Sequence, residues 1–313
     1  MRTDSLKLEY GHGQNPLSDA RLRAELARLM DCGEDELSDF QVLKKGMTNH
    51  SYIFRCRNDR YILRVPGEGT DRMIDRAGEA AVYQALHGLD ICDDVAHIDP
   101  ESGLKISRYY PNARVCDPLD RADVEACMER LRRFHALRLS VPRVFDIFGQ
   151  IGFYESLWEG KPSVYPDYGE IKRKVFSLRS FIDRQQKEYI LSHIDAVPDN
   201  FLFVGGGDIR LIDWEYAGMQ DPHVDIAMFG IYALYGREQM EALIDCYFAG
   251  KCPPDVRAKV YCYIAACGLL WSNWCEYKKQ LGVDFGDYAK QQYRYAGEYY
   301  ETASEAIARL QTR

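Results

Sequence analysis

The chain is 313 residues long, which is enough for two lobes that each bury a core. Its 46% apolar and 28% charged residues are typical of an ordinary soluble globular protein. The net charge of −8 argues against a surface that binds nucleic acid regardless of sequence, whereas an acidic surface suits a small cationic substrate.

Ten cysteines are scattered singly, with no C-x-x-C pair and no cluster of cysteine and histidine. This pattern predicts reduced thiols, with neither a disulfide framework nor a zinc site. The chain has no N-terminal apolar signal segment, and no run of eighteen apolar residues could span a membrane. We therefore expect a cytoplasmic protein, and the sequence leaves its oligomeric state open.

A small first lobe is predicted for residues 17–112, after a loose arm at residues 1–16. Apolar residues at helical spacing predict a helix from Ser18 to Gly33. The rest of the lobe is predicted as strands at 40–43, 51–57 and 60–65, a helix at 71–86, a polar loop, and a last strand at 103–110.

The connection KKGMTNH joins the first two of these strands. Gly46 permits close approach of the backbone to a ligand, and Thr48, Asn49 and Ser51 offer hydrogen-bond donors to phosphate oxygens. A single glycine also fits a plain hairpin, so these residues alone leave both interpretations open.

The second lobe is predicted to comprise residues 113–313. Apolar residues at helical intervals indicate a core-facing helix at 120–137, in which His135 is expected to be a packed or capping residue. A long connection rich in aromatic and turn-forming residues follows at 142–166, and a further helix is predicted at 171–186.

A polar motif then stands beside a predicted hairpin. The segment LSHIDAVPDNFLF carries His193, Asp195 and Asn200, and Asp213 follows in IRLIDWEYAG. Strands are predicted on either side of the Gly-Gly-Gly turn, at 201–204 and 209–212. The two aspartates and the asparagine are therefore expected at one end of a small sheet.

That set of residues suits phosphoryl transfer. The reaction needs one carboxylate to orient a hydroxyl, together with oxygen ligands that hold Mg²⁺. We expect Asp195 to orient the acceptor alcohol, and Asn200 and Asp213 to be the metal ligands.

The motifs HIDAVPDN, LIDWEYAG and DPHVDIA resemble the phosphotransferase family of choline kinases and aminoglycoside kinases, most closely the bacterial choline kinases, over most of residues 38–300. The resemblance implies an α+β, protein-kinase-like fold with a small, mostly β N-terminal lobe and a larger, mostly α C-terminal lobe. It also implies that ATP is the phosphoryl donor.

The resemblance assigns the nucleotide site to the first lobe. It implies that Gly46, Thr48, Asn49 and Ser51 cover the phosphates. It implies that Arg64 binds a phosphate where protein kinases use a lysine, and that Glu79 pairs with Arg64. The carbonyl of Arg108 and the N–H of Tyr110 would contact adenine. In the second lobe, His193 and Asp225 are expected to brace the catalytic loop.

Aromatic residues are dense after Asp213, and about half of them are expected to be ordinary core. The resemblance implies that some enclose the trimethylammonium group of choline, for which ring faces are a suitable host. The implied cage residues are Tyr216, Trp271, Trp274, Phe285 and Tyr288. Tyr232 stands where eukaryotic choline kinases carry a glutamate.

The sequence thus predicts an ATP- and Mg²⁺-dependent choline kinase that acts on a small molecule, with no nucleic-acid partner. Within the fold, the alternatives are a kinase for ethanolamine, thiamine or another small amino alcohol, or an aminoglycoside phosphotransferase. From another class, the alternative is a kinase-like binding protein without catalytic activity. The intact Arg64, Asp195, Asn200 and Asp213 argue against that last alternative.

Overall fold

The computed structural model describes residues 20–45, 49–67 and 74–312. Contacts divide the chain into two units. The first unit contains the described part of Met1–Arg114 together with Leu202–Tyr216, and the second contains Val115–Phe201 with Ala217–Arg313. The chain therefore returns briefly to the first unit before completing the second. The predicted arm at 1–16 lies outside the described residues, and the predicted lobe boundary at 112/113 stays a prediction.

A five-stranded antiparallel sheet forms the centre of the first unit, in the order β1-β2-β3-β5-β4. Its strands are β1 (Leu37–Lys45), β2 (Asn49–Cys56), β3 (Asp59–Pro66), β4 (Val95–Ile98) and β5 (Lys105–Arg108), and its helices are α1 (Ala20–Leu29) and α2 (Arg76–Leu86). The first three strands and both helices are therefore confirmed, with ends that shift by a few residues.

Alternation along the strands gives the sheet two different faces. Tyr52, Leu63 and Ile106 are aligned in register and are buried in one apolar core with Leu22 and Leu26 of α1. The next positions in register, Ser51, Arg64 and Lys105, occupy the opposite face. Helix α2 lies on this second face, where its polar side chains contact Arg64 and Lys105.

The sequence prediction for the first unit was wrong in two places. Strand β4 forms where a polar loop was expected. The prediction missed it because a strand of four residues is too short to show a clear alternation of apolar and polar residues. The last strand is shorter than predicted, since Gly103 has a φ of +73° and cannot continue an extended strand. Helix α2 begins at Arg76 after an N-cap at Asp75, whose side chain accepts a hydrogen bond from the Gly78 N–H. The predicted first residues of this helix, 71–73, lie outside the described part.

The second unit is mostly helical. Its helices are α3 (Arg121–Ala136), α4 (Ile147–Ser156), α5 (Tyr168–Ser177), α6 (Arg179–Arg184), α7 (His223–Tyr232), α8 (Arg237–Tyr247), α9 (Pro254–Gln280) and α10 (Asp287–Gln311). Helix α9 is the central element, and α4, α7 and α10 pack against it. Gly268 makes the approach of α10 possible, since a Cβ atom there would lie 2.7 Å from the carbonyl oxygen of Gln292.

Two predictions for this unit were wrong. The expected long connection at 142–166 contains helix α4, which packs on α9 although Gly149 and Gly152 lower its helix propensity. Tertiary burial of Ile147, Ile151 and Tyr154 overrides that weak propensity. The helix predicted at 171–186 begins earlier and is divided at Leu178 into α5 and α6.

The predicted hairpin is present as β8 (Phe201–Gly205) and β9 (Asp208–Leu211), and Gly205, Gly206 and Gly207 have φ values of +100°, +63° and +82° that favour glycine. The short strand β6 (Arg114–Val115) lies on the other side of β8. Strands β7 (Ile190–Ser192) and β10 (Gly218–Gln220) pair antiparallel in the second unit.

All ten cysteines are free thiols. In the described part of the chain, every helix is too short or too polar to cross a membrane.

Candidate active site

The buried pair of Arg64 and Glu79 organises the first unit's part of the site. Arg64 on β3 donates to both carboxylate oxygens of Glu79 on α2, at 2.6 and 2.7 Å, which confirms the pairing that the resemblance implies. Burial alone would raise the pKa of Glu79, but the guanidinium outweighs it and the pKa lies below the usual range. The carboxylate therefore stays charged and fixes the direction of Arg64.

Asp213 follows β9 and lies close to the same guanidinium. Its Oδ1 is 3.6 Å from Arg64 Nη1, and its side chain is 40% exposed. The residue has a φ of +66°, an uncommon conformation for aspartate that is often found at functional sites. Asp213 therefore combines a fixed backbone with an accessible carboxylate.

Only part of the predicted phosphate segment lies within the described residues. Gly46 and Thr48 lie outside the described residues. Asn49, the first residue of β2, is buried, and its Nδ2 donates to Glu215 Oε2 at 3.0 Å. Ser51 is opposite Arg64 in the β2–β3 register, so both side chains belong to the same face.

Sequence reasoning missed Glu215 and Arg76. Glu215 is 3% exposed, and burial, followed by the charge of Asp213, raises its pKa to about 7. Arg76 is 6% exposed and lies close to both Glu79 and Glu215. A charged residue inside the apolar run of LIDWEYAG was a signal for Glu215, whereas nothing in the sequence around Arg76 pointed to it.

The predicted adenine contacts lie at the end of the sheet. Arg108 is the last residue of β5, and its N–H donates to the carbonyl of Asp94 at 2.8 Å. Tyr110 follows two residues later and accepts the Asp94 N–H through its hydroxyl at 3.1 Å. Their contact with adenine stays a prediction.

In the second unit, Asp225 of α7 braces the predicted catalytic loop. Its two oxygens accept the N–H groups of His193 and Ile194 at 2.9 and 2.7 Å, and its side chain is fully buried. His135 Nε2 lies 2.9 Å from the same carboxylate and His135 Nδ1 lies 2.8 Å from the hydroxyl of Tyr247, so His135 is a packed residue as predicted.

Ile194 shows why the brace is needed. It has a φ of +69°, which is strained for a β-branched residue. A conformation of this kind persists only where its surroundings enforce it, and here the Asp225 carboxylate holds its N–H. The strained turn sets the direction in which the next residue, Asp195, leaves the loop.

Asp195 and Asn200 are in direct contact. Asn200 Nδ2 donates to the Asp195 carbonyl at 2.8 Å and to Asp195 Oδ2 at 3.1 Å. Since the amide nitrogen of Asn200 is used in this way, its oxygen Oδ1 is the atom that can ligate a cation. Asp195 remains partly exposed and can reach a substrate.

The donor atoms fit Mg²⁺. Asn200 Oδ1 and the Asp213 carboxylate are hard oxygen ligands of the type that this ion prefers. Over residues 20–45, 49–67 and 74–312, no three His, Cys, Asp or Glu side chains gather into a metal site. Asn200 Oδ1 in the second unit and the Asp213 carboxylate in the first unit each suit an ion that usually keeps several waters and takes its other ligands from substrate phosphates.

Four of the five predicted cage residues form one continuous run of rings in the second unit. Ring centroids are separated by 5.7 Å between Trp271 and Trp274, by 5.1 Å between Trp274 and Phe285, and by 6.3 Å between Phe285 and Tyr288. Tyr216, the fifth, belongs to the first unit. Lys278 lies 5.5 Å above the Trp274 ring, so part of this surface already contacts a cation of the protein itself.

The run continues to Tyr232, whose ring lies 5.9 Å from that of Tyr288. Its hydroxyl donates to Asp199 Oδ2 at 2.8 Å. Burial raises the pKa of both tyrosines, and the negative charge of Asp195 adds to the shift for each. The aromatic run therefore ends at the Asp199 carboxylate, four residues after Asp195 in the chain.

These features are those of a kinase-like phosphotransferase, with a small, mostly β first unit and a larger, mostly α second unit. The model of the Phosphotransferase enzyme family matches residues 39–261, and the chain belongs to that family. It is a small-molecule kinase.

Three relatives give finer comparisons. Protein LicA of Haemophilus influenzae is 29% identical over 265 residues, covering 78% of this chain and 75% of that protein. The crystal structure of choline kinase LicA from Streptococcus pneumoniae is 27% identical with a TM-score of 0.77, covering 90% of this chain and 98% of that one. A structure of LicA in complex with AMP is 26% identical with a TM-score of 0.76, covering 91% and 99%.

Proposed function

We propose that this protein is a choline kinase, which transfers the γ-phosphoryl group of ATP to the hydroxyl of choline and yields phosphocholine and ADP. The observation that carries the proposal is the run of rings from Trp271 to Tyr232, which ends at the Asp199 carboxylate in the loop after Asp195. A quaternary ammonium group has no N–H to donate, so ring faces and nearby carboxylates are its natural hosts. The choline kinase LicA structure supports the same acceptor.

Nucleotide binding is assigned to the first unit. The AMP complex of LicA supports the binding of an adenine nucleotide. Arg64, held by Glu79, binds a phosphate group through its planar guanidinium. Asn49 and Ser51 flank the same region of the sheet, and the backbone at Arg108 and Tyr110 contacts the adenine. Gly46 and Thr48 complete the phosphate segment.

In the second unit, Asp195 accepts a hydrogen bond from the choline hydroxyl and orients its oxygen for attack on the γ-phosphorus. Phosphoryl transfer has a loose transition state, so this positioning matters more than strong basicity. Asn200 of the second unit and Asp213 of the first unit would each supply an oxygen ligand to Mg²⁺, which would neutralise charge on the phosphate oxygens. Trp271, Trp274, Phe285 and Tyr288 form the host for the trimethylammonium group, and Tyr216 of the first unit is a further candidate for it.

An acceptor panel tests the substrate. The purified chain would be assayed for ADP release with choline, ethanolamine, thiamine and kanamycin at equal concentrations. Cation–π contacts of a desolvated quaternary ammonium contribute about 2 kcal/mol, so choline should exceed ethanolamine by roughly 30-fold in kcat/KM. Activity on kanamycin or ethanolamine with none on choline would overturn the proposal.

The role of Asp195 has a separate test. Asp195→Ala should abolish turnover while the nucleotide Kd stays within about twofold of the wild type, because its partners lie in the second unit. Asp183→Ala, on the exposed face of α6, is the matched control and should keep full activity. Substantial turnover by Asp195→Ala would remove this residue from the mechanism.

A further inference from the structure

A continuous set of buried charges crosses the first unit, and Arg76 lies at its centre. Arg76 Nη1 is 3.6 Å from Glu79 Oε2 and 3.8 Å from Glu215 Oε2. The three side chains are at most 6% exposed. One guanidinium therefore stands between two buried carboxylates that belong to different segments of the chain.

Each carboxylate has a second partner with a proposed role at the site. Glu79 binds Arg64, the proposed phosphate ligand, and Glu215 accepts a hydrogen bond from Asn49, which is one of the residues proposed to cover the phosphates. Glu215 is also two residues from Asp213, the proposed metal ligand. Arg76 thereby connects the surroundings of three functional residues.

The backbone leaves room for this arginine. Gly103 has a φ of +73°, and a Cβ atom there would lie 2.5 Å from Arg76 Cδ and 2.7 Å from its Nε. Any larger residue would displace the guanidinium. The path of the Arg76 side chain is thus fixed by the same turn whose carbonyl accepts from Arg64 Nη2 at 3.3 Å.

The balance of charge explains why the position of Arg76 matters. Without it, Glu79 and Glu215 would face each other across a water-poor space with one fewer positive charge between them. Two buried carboxylates in that situation repel each other and move apart. Movement of Glu215 would carry Asn49 and the Asp213 segment with it.

We propose that Arg76 is a positioning residue of the phosphotransfer site, which holds Glu215 and so aligns Asn49 and Asp213 with the Arg64–Glu79 pair. The inference rests on the proposed roles of Arg64 and Asp213. Arg76 touches neither nucleotide nor acceptor, and it acts through the Glu215 carboxylate. Arg76 is required for nucleotide binding and turnover, and it does not determine which acceptor is phosphorylated.

The test uses the full chain with Arg76→Gln and Arg76→Lys. Nucleotide Kd is measured without acceptor, and kcat and both KM values are measured with it. Arg76→Gln should raise the nucleotide Kd and lower kcat, each by about 10- to 100-fold, while the acceptor KM stays within about twofold of the wild-type value. Arg76→Lys should recover part of the loss, because it keeps the charge without the planar fork.

Lys259→Gln provides the matched control, since Lys259 is another buried cation, 2% exposed and 2.6 Å from Asp221 in the second unit. It should lower the melting temperature as Arg76→Gln does, yet leave the nucleotide Kd unchanged. A folded Arg76→Gln protein whose nucleotide Kd and kcat match those of the wild type would overturn the proposal.

A double-mutant cycle with Asn49→Ala tests the route through Glu215. If Arg76 acts by aligning Asn49, the second substitution should add little to the first, whereas fully additive losses would contradict that route. Asn49→Ala alone should also weaken nucleotide binding, which keeps the proposal testable if Arg76→Gln fails to fold. Nucleotide binding is measured without acceptor, so the effect of Arg76→Gln on nucleotide Kd can be interpreted even if choline is not the substrate.

Discussion

Replacement of Asp225 by asparagine should damage both stability and turnover. The side chain is fully buried, and its two oxygens accept the N–H groups of His193 and Ile194 while one of them also meets His135 Nε2. Asparagine has nearly the same shape but only one acceptor oxygen. Its NH₂ group would face a donor, so at least one buried N–H would lose its partner.

The size of the effect follows from these contacts. Loss of a charged hydrogen-bond acceptor with a buried donor left unsatisfied costs about 3 kcal/mol. The left-handed conformation of Ile194 costs roughly 1–3 kcal/mol, and the loop recovers part of this cost when it relaxes, so the net loss of stability is smaller than the lost hydrogen bond alone. Relaxation of this turn would move Asp195, and a displacement of about 1 Å can cost on the order of 100-fold in rate.

Urea unfolding and steady-state kinetics check this prediction. Asp225→Asn should lower the free energy of unfolding by about 2 kcal/mol and reduce kcat at least tenfold, with nucleotide Kd unchanged. Glu238→Gln, an exposed acidic residue in the first turn of α8, should lose at most about 1 kcal/mol, since only the helix dipole is affected. An Asp225→Asn protein that matches this control in both measurements would contradict the prediction.

Two further predictions concern other residues. Burial alone would raise the pKa of Asp221, but His223 and Lys259 hold it at about 2, against an ordinary 3.8. The lowered pKa contributes about 2 kcal/mol to the free energy of unfolding above pH 4, and this contribution is lost as the pH falls towards 2. Asp221→Asn should therefore flatten the pH dependence of the free energy of unfolding between pH 4 and pH 2. An unchanged slope would contradict this prediction. Trp274→Ala should reduce kcat/KM for choline more than for ethanolamine. Trp158 is also buried, and Trp158→Ala should reduce kcat/KM for both acceptors equally. Equal losses for the two acceptors in Trp274→Ala would show that the Trp274 ring is ordinary core.

Local pattern predicted those elements whose burial is visible in a short window. Strands β2 and β3 and the hairpin of β8 and β9 alternate clearly, and a glycine turn marks the hairpin. Helix α4 could not be predicted in this way. Its residues gain their stability from packing against α9, more than a hundred positions later in the chain.

In the candidate site, too, some features were predictable from the sequence and others depended on tertiary contacts. Spacing and residue type pointed to Asp195, Asn200 and Asp213, because phosphoryl transfer requires oxygen groups of this kind in this order. The pairing of Arg64 with Glu79 was implied by the resemblance and is present. The ring run was predicted as a set of residues, while its continuation to Tyr232 and Asp199 appeared only in the folded chain.

By itself, the sequence determined the family, the order of the main elements and the residue types that chemistry of this class needs. Only the tertiary structure decided which charges are buried together. Arg76 and Glu215 lie 139 positions apart in the chain, and their contact depends on α2, the turn at Gly103 and the segment after β9. Hydrophobic periodicity is a local property, whereas the neutralisation of a buried charge depends on whichever distant group the fold brings beside it.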